Sequence, residues 1–493
     1  MIRYVHRHFF VLFTLALGFL LTSGGATALG HSPALLSDVF QTHDAESIEE
    51  IEIPQAEHTV PPFTPGTVRE PLSIPKEGVS IHADLHAHVL TVFRDGKADR
   101  TFPILAIGKP GSTYETPAGT YAIKTKEKNH FSSIAKIWMP YSMHFYGNYF
   151  IHGWPHKDDG TLVNSTYSGG CIRLSTEDAK ALFEIIDIGT PIIVTGVRDE
   201  VTAAPTGYYV RSSGVPIPSG ISATAFAVAD LTTGDVLLEE QGNTVMPIAS
   251  ISKLFTVLAA FDNFDHYKEL SISRTAVDTE GVGGDLVPGD ILAVQEFVFP
   301  LLLESSNDAA MALAEYVGER RFVDLMNTKV SSIGLKQTHF EDASGLSPKN
   351  TSTALDLIRL ARYLYISKQH VLDVTTLRTK ALPASESHHA YQWKNISQFL
   401  DTPGHIGSKS GFTGAAGETL VAVFNLKMTE FEGRPIGIVL LGSTDRKKDA
   451  DLIRTYISES VFYTYLANTK TSAAVEDMEG ATASVLPIFQ ISE

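Results

Sequence analysis

Met246-Pro247-Ile248-Ala249-Ser250-Ile251-Ser252-Lys253 opens a run of helical periodicity over 251–262. Residues three apart share a helix face, so Lys253 Nζ reaches Ser250 Oγ. A lysine held near other cations and partly desolvated loses its proton and serves as base for a serine. The helix N-terminus adds a positive dipole where an oxyanion forms. This tetrad alone is a weak sign, because surface helices produce it by chance. Two further stretches give it weight. Ser305-Ser306-Asn307 lies between helical runs at 293–303 and 308–317, and Lys409-Ser410-Gly411-Phe412-Thr413 precedes a strand-like run at 419–425. The order Ser-x-x-Lys, Ser-x-Asn, Lys-Ser-Gly, with steps of 55 and 104 positions, is a strong signal.

Around these motifs the pattern is mixed. Residues 224–230 and 236–239 read as a hairpin about Thr232-Thr233-Gly234, a helix is expected over 353–366, a strand over 435–442 and a last helix over 447–466. Strands at both ends with helices between predict an antiparallel sheet flanked by helices. Residues 220–467 resemble the low-molecular-weight penicillin-binding proteins, the D-alanyl-D-alanine carboxypeptidases and endopeptidases. Asp342-Ala343-Ser344-Gly345-Leu346, Asn350, Ser352-Thr353-Ala354 and Asp356 extend the match. The resemblance implies that Ser250 is acylated with Lys253 as its base. It gives Ser305 and Asn307 proton relay and a hold on the substrate backbone, and Lys409, Ser410 and Gly411, with Thr413 beside them, the terminal carboxylate. The N–H groups of Ser250 and Phe412 become the oxyanion hole. Ser410 stands where Thr is commoner and keeps the hydroxyl. A β-lactamase is the nearer rival, but no acidic deacylation motif of the class A type appears between Asn307 and Lys409.

A second nucleophile precedes this region. Cys171, the sole cysteine, lies in Ser168-Gly169-Gly170-Cys171-Ile172-Arg173-Leu174, and His152-Gly153 stands nineteen positions upstream after Tyr149-Phe150-Ile151. A thiol nucleophile needs a base, and a nearby cation favours its thiolate. His152 supplies the first, and Arg173 lowers the thiol pKa or binds a substrate carboxylate. Gly169-Gly170 lets backbone donors approach an acyl oxygen. Spacing alone leaves an inert core cysteine the commoner outcome.

Residues 78–196 resemble the catalytic domain of the L,D-transpeptidases. The match rests on His152, Ser168, Gly170, Cys171, Ile172 and Arg173, and on Ile107-Gly108 with Thr116-Pro117-Ala118-Gly119-Thr120-Tyr121. Gly169 stands where that family often has a second His. The resemblance makes His152 the base and the Gly153 carbonyl its orienter. It puts Tyr146, Trp138 and Trp154 at the groove, although aromatics beside strands are more often core. The segment itself alternates, with Ile81, Ala83, Leu85, Ala87 and Val89 on one face and His82, Asp84, His86 and His88 on the other. Three histidines on one strand face are a metal site only rarely, and a wet sheet face is the better reading. With one good helix, Thr176 to Asp187, this half is expected to be mainly β, a sandwich or half-open barrel.

Composition bounds the rest. Hydrophobic residues make up 43% and charged residues 19% of the 493 residues, enough to bury a core. A formal charge of −17 argues against a nucleic-acid partner and gives no pull towards anionic lipid. Arg3 and Arg7 precede an apolar run of 13 residues from Phe9 to Leu21, and Ala26-Thr27-Ala28 fits a signal-peptidase site. Residues 1–28 therefore read as an export signal, and membrane attachment follows only if it is not cleaved. Residues 29–77, with nine acidic residues and seven prolines, read as a disordered linker. The remaining divisions are a domain over 78–197, a linker over 198–219, a domain over 220–467 and a loose tail over 468–493.

The expectation is a two-domain, exported peptidoglycan enzyme. Its partners are peptide stems as substrates and β-lactams as inhibitors, with no metal or organic cofactor implied. The contrasting reading is a wall-binding scaffold with degenerate sites, and the intact nucleophile–base pairs argue against it.

Overall fold

The computed structural model describes residues 66–68, 72–198, 207–212, 215–428 and 433–465. The expected signal segment, most of the acidic linker and the tail lie outside the described residues. Among the described residues no helix is long and apolar enough to cross a membrane.

Residues 78–197 form two sheets packed face to face. One has five strands in the order Lys97–Pro103, Val89–Arg94, Val79–Asp84, Pro191–Thr195, Gly119–Ala122. The other has four, in the order Thr125–Ser132, Ile137–Tyr146, Tyr149–His152, Ile172–Arg173. The pleat sends Ile81, Ala83, Leu90 and Val92 of the first sheet and Met143, Phe145, Ile151 and Ile172 of the second into one core. The helix Thr176–Ile185 is capped by Ser175, whose side chain accepts the Asp178 N–H, and it buries Ala179 and Leu182. Tyr149–His152 and Ile172–Arg173 run parallel, pairing Ile151 with Ile172 and His152 with Arg173. That pairing lays the histidine segment beside the cysteine segment.

The alternation from Ile81 to Val89 is not one strand. It stops at Asp84, turns through Leu85–His88 and resumes at Val89. Asp84 Oδ1 accepts the N–H groups of His86 and Ala87, and His88 adopts a φ of 54°. The three histidines therefore do not share a strand face. His82 Nε2 meets Thr195 Oγ1 and His86 Nδ1 meets the Val197 carbonyl.

The serine region is built on a six-stranded antiparallel sheet in the order Gly66–Thr67, Asp235–Glu240, Ala225–Asp230, Gly433–Ser443, Gly417–Lys427, His405–Thr413. Both faces are covered. Ala225, Ala227, Ala229, Val421, Val423 and Val439 meet the helices Ser252–Asn263 and Ala354–Ser367. Phe226, Val228, Leu420, Ala422, Ile438 and Leu440 meet the helix Arg446–Ser460. The central strand Ala225–Asp230 is buried at every position.

Three expected helices appear as Ser252–Asn263, Asn307–Glu315 and Ala354–Ser367. The run at 293–303 is not one helix. It divides into a strand Ile291–Ala293 and a short π-turn Pro300–Glu304, because Pro300 has no N–H to continue an α-helical ladder. The last helix ends at Ser460. The β-branched and aromatic residues that follow make the strand Val461–Tyr465, paired with Gly207–Arg211 inside the expected linker.

Candidate active sites

Ser250 sits in the turn Ala249–Ile251 that leads into the helix Ser252–Asn263. Ala249 holds a φ of 49°, a strained setting for a residue with a Cβ. Two glycines permit the crowding around this turn. A Cβ on Gly411 would stand 2.7 Å from the Ser250 nitrogen, and one on Gly345 would stand 2.1 Å from the Ala249 carbonyl.

Lys253 is fully buried, and its Nζ lies 2.9 Å from Ser250 Oγ, 2.7 Å from Asn307 Oδ1 and 2.6 Å from the Ser344 carbonyl. Asn307 is oriented by its Nδ2, which donates to the Glu280 carbonyl at 2.6 Å, so Oδ1 faces the amine. Two of the three lysine contacts are therefore acceptors only. A neutral amine spends its two N–H groups on them and turns its lone pair to the Ser250 hydroxyl. Burial, with Lys409 nearby, holds the Lys253 pKa well below the usual lysine range.

Ser305 ends the π-turn in a left-handed conformation, φ 65°. Its Oγ accepts from Lys409 Nζ at 2.8 Å, and Lys409 also donates to the Ser410 carbonyl at 2.8 Å. Burial, then Arg446, pushes Lys409 down to about 7. Arg446 donates to the Gly411 carbonyl at 2.6 Å. Phe412 is 65% exposed on the edge strand His405–Thr413, and Thr413 Oγ1 accepts the Ala416 N–H. The three motifs are thus joined side chain to side chain, Lys253 to Ser250 and Asn307, and Lys409 to Ser305. Sequence reasoning missed the Ser344 carbonyl and Arg446 as participants. The stretch 342–345 had been matched as a motif, but a backbone acceptor leaves no mark in side-chain identity.

In the first region, Ser168 Oγ donates to the Cys171 carbonyl at 2.5 Å and accepts the Gly170 N–H at 3.1 Å, shaping the turn before the thiol. Gly170 holds a φ of 105°, and a Cβ there would fall 2.2 Å from the Tyr149 ring. At Gly169 a Cβ meets nothing within 4 Å, so that position is open. His152 Nδ1 lies 2.6 Å from the Gly153 carbonyl. A carbonyl only accepts, so the neutral ring carries its proton on Nδ1 and leaves Nε2 basic. Burial pushes His152 down to about 4 against the opposing pull of that carbonyl.

The thiol differs from the simplest expectation. Burial pushes Cys171 up to about 11, against the smaller opposing effects of the Phe150 N–H and Arg173. The resting pair is thus neutral thiol and neutral imidazole. No imidazole–thiol hydrogen bond joins them among the described residues, and the parallel strands pair His152 with Arg173, two residues past the thiol. Arg173 is itself buried, donating from NH1 to the Ser165 carbonyl at 2.8 Å with its guanidinium over the Trp154 ring at 5.3 Å. It favours the thiolate through its field but does not outweigh desolvation. Tyr146 is core, packed against Tyr121 and Tyr149.

Comparison with known proteins finds a family for each of the two regions. Residues 212–440 match the family model of the D-alanyl-D-alanine carboxypeptidases, and residues 78–194 match that of the L,D-transpeptidase catalytic domain. A D-alanyl-D-alanine endopeptidase of Pseudomonas aeruginosa is 28% identical over 55% of this chain and 88% of its own length. A D-alanyl-D-alanine endopeptidase of Escherichia coli is 30% identical over 48% of this chain and 77% of its own. A crystal structure of a D-alanyl-D-alanine carboxypeptidase from Mycobacterium tuberculosis is 28% identical, covering 50% of this chain and 95% of that one with a TM-score of 0.45. The chain belongs, through its serine region, to the D-alanyl-D-alanine carboxypeptidase family, and carries an L,D-transpeptidase catalytic domain ahead of it.

Proposed function

We propose that the chain is a bifunctional, exported peptidoglycan-remodelling enzyme. The observation that carries the reading is Lys253, fully buried with its Nζ 2.9 Å from Ser250 Oγ and its two other partners, Asn307 Oδ1 and the Ser344 carbonyl, able only to accept. Lys253 takes the hydroxyl proton as Ser250 Oγ attacks the carbonyl of the penultimate D-Ala. The N–H groups of Ser250 and Phe412 take the oxyanion. The proton returns to the leaving amine through Ser305 and Asn307, and water then hydrolyses the acyl-serine. A free D-Ala leaving group makes this a carboxypeptidase, and a cross-link amine makes it an endopeptidase. The Pseudomonas aeruginosa and Escherichia coli relatives bear the endopeptidase name, and a Bacillus subtilis relative bears the carboxypeptidase name. Either reaction leaves a tetrapeptide stem.

The cysteine site takes that tetrapeptide as acyl donor. His152 Nε2 accepts the Cys171 proton as sulfur attacks, D-Ala leaves with a proton, and an amine of another stem then displaces the thiol. Arg173 assists the developing thiolate. No step calls for a metal or organic cofactor. The serine product is then the cysteine substrate, and one chain raises its local concentration.

Mass spectrometry of stem peptides tests the sequence. From pentapeptide-only peptidoglycan, wild type is expected to yield L,D-products, Cys171→Ala to accumulate tetrapeptide, and Ser250→Ala to stall. Added tetrapeptide is expected to restore Ser250→Ala. L,D-products from pentapeptide at the wild-type rate in Ser250→Ala would show two independent enzymes.

A pH profile tests the lysine pair. Lys409 is cationic below about 7 and neutral above it, so carboxylate capture by free enzyme weakens as pH rises. Lys253 fails as base once protonated at lower pH. The second-order constant for penicillin acylation is expected to be bell-shaped, with its alkaline limb near 7. Lys409→Arg, always charged, is expected to lose that limb. An unchanged limb refutes the role of Lys409.

A further inference from the structure

Asp262 lies at the far end of the helix that begins beside Ser250, and it is fully buried. Its carboxylate faces Lys329 Nζ at 2.8 Å and Lys368 Nζ at 3.2 Å, both also buried. Lys329 continues to the Tyr363 hydroxyl at 2.7 Å and Lys368 to the Glu115 carbonyl at 3.0 Å. Buried charges persist only when paired and hydrogen-bonded, and adhesion alone is served better by apolar side chains. This cluster lies where the two catalytic regions meet. Glu115 belongs to the cysteine region, and the rings of its Tyr146 and Tyr149 lie 5.3 Å from Lys329 Nζ and 5.8 Å from Lys368 Nζ.

The same aspartate grips the turn that leads to the thiol. The Tyr149 hydroxyl donates to Asp262 Oδ1 at 3.3 Å, and the Asn148 N–H donates to the Asp262 carbonyl at 3.0 Å. A Cβ on Gly147 would stand 2.0 Å from that carbonyl, so the turn rests directly on the helix end. From this turn runs the strand Tyr149–His152. The Asn148 carbonyl is 3.9 Å from Cys171 Sγ, the Phe150 N–H works against the upward push of burial on the thiol, and the Tyr149 ring fills the space a Gly170 side chain would need. Three consecutive residues beside the thiol are thus fixed at their outer end by a residue of the other domain.

We propose that Asp262 is a positioning residue of the cysteine site. By holding Asn148 and Tyr149 it sets the Asn148 carbonyl against Cys171 Sγ and the Tyr149 ring against Gly170, so the helix that begins beside Ser250 completes the thiol site from outside its own domain. The inference rests on reading Cys171 as the acyl-accepting nucleophile.

The test uses the full chain and two variants. Asp262→Asn keeps the shape and removes the charge. Asp262→Leu with Lys329→Met and Lys368→Met replaces the whole ion set with apolar groups, which proteins often tolerate, and serves if the single variant does not fold. Penicillin labelling of Ser250 counts folded molecules, and iodoacetamide alkylation of Cys171 is followed in that labelled population. Alkylation and tetrapeptide kcat are expected to fall by on the order of tenfold, with KM and Ser250 acylation within about twofold of wild type. Lower melting temperature with unchanged alkylation and kcat per labelled molecule would overturn the proposal, leaving Asp262 as domain adhesive. A wild-type chain that alkylates Cys171 yet converts no tetrapeptide refutes the transpeptidase reading instead, and the alkylation ratio still decides the role of Asp262.

Discussion

Ser250→Ala is expected to abolish covalent penicillin uptake at the serine site, and Lys253→Ala to slow it by about 10³-fold. The first loss is complete because Oγ is the atom that bonds the acyl group. The second follows from geometry. Asn307 Oδ1 and the Ser344 carbonyl both face Lys253 Nζ as acceptors, and Ser250 Oγ is the remaining partner. With the amine gone, the serine proton has no buried base, and the two acceptors are left unpaired. A 10³-fold loss corresponds to about 4 kcal/mol of barrier, within the range a positioned base supplies. Lys253→Arg is expected to fare no better, since a guanidinium keeps its proton at any working pH. Intact-mass measurement after timed penicillin exposure reads both variants. Uptake by Ser250→Ala at a mass matching one penicillin would move the nucleophile elsewhere. Normal acylation of a folded Lys253→Ala would remove the lysine from its role.

The candidate residues of the serine site were legible as a set because the chemistry proposed for them is carried by side chains at set spacings. Ser250 and Lys253 lie three apart on one turn, and Asn307 and Lys409 each bring a distinctive polar group from a separate element. Backbone contributions were not legible. The Ser344 carbonyl that holds Lys253 and the Asn148 carbonyl that meets the thiol depend on where the chain passes, and any residue type provides them. Desolvation was equally hidden. Arg173 two positions from Cys171 suggested a thiolate, but the fold buries both, and burial outweighs the cation. Among the strands, the alternation through Ile81–Val89 concealed a turn because Asp84 and His88 keep the polar phase while the chain reverses. The strand at 461–465 was hidden for another reason. Helical periodicity runs into it without a break, and only its partner Gly207–Arg211, distant in sequence, settles its state.

His152→Ala is expected to lower cysteine-site turnover by on the order of 10² or more at neutral pH. The reason is the protonation state of the pair. With Cys171 pushed up to about 11 and His152 down to about 4, no stored thiolate exists at neutral pH. The proton must leave sulfur during the attack, and the Gly153 carbonyl fixes Nδ1 so that Nε2 is the receiving atom. The pH dependence follows in sign. A depressed imidazole stays neutral, and so basic, down to about 4, so wild-type turnover is expected to hold through mildly acidic pH. The variant has only solvent to take the proton. Its rate is therefore expected to climb with pH towards the thiol's own ionisation, narrowing the gap to wild type above pH 9. If His152 were merely a packed strand end, the variant would melt at lower temperature yet turn over normally per folded molecule. Tetrapeptide conversion measured from pH 5 to 10, beside melting temperature at each pH, separates the two. A folded variant with a flat profile at the wild-type rate would remove His152 as the base.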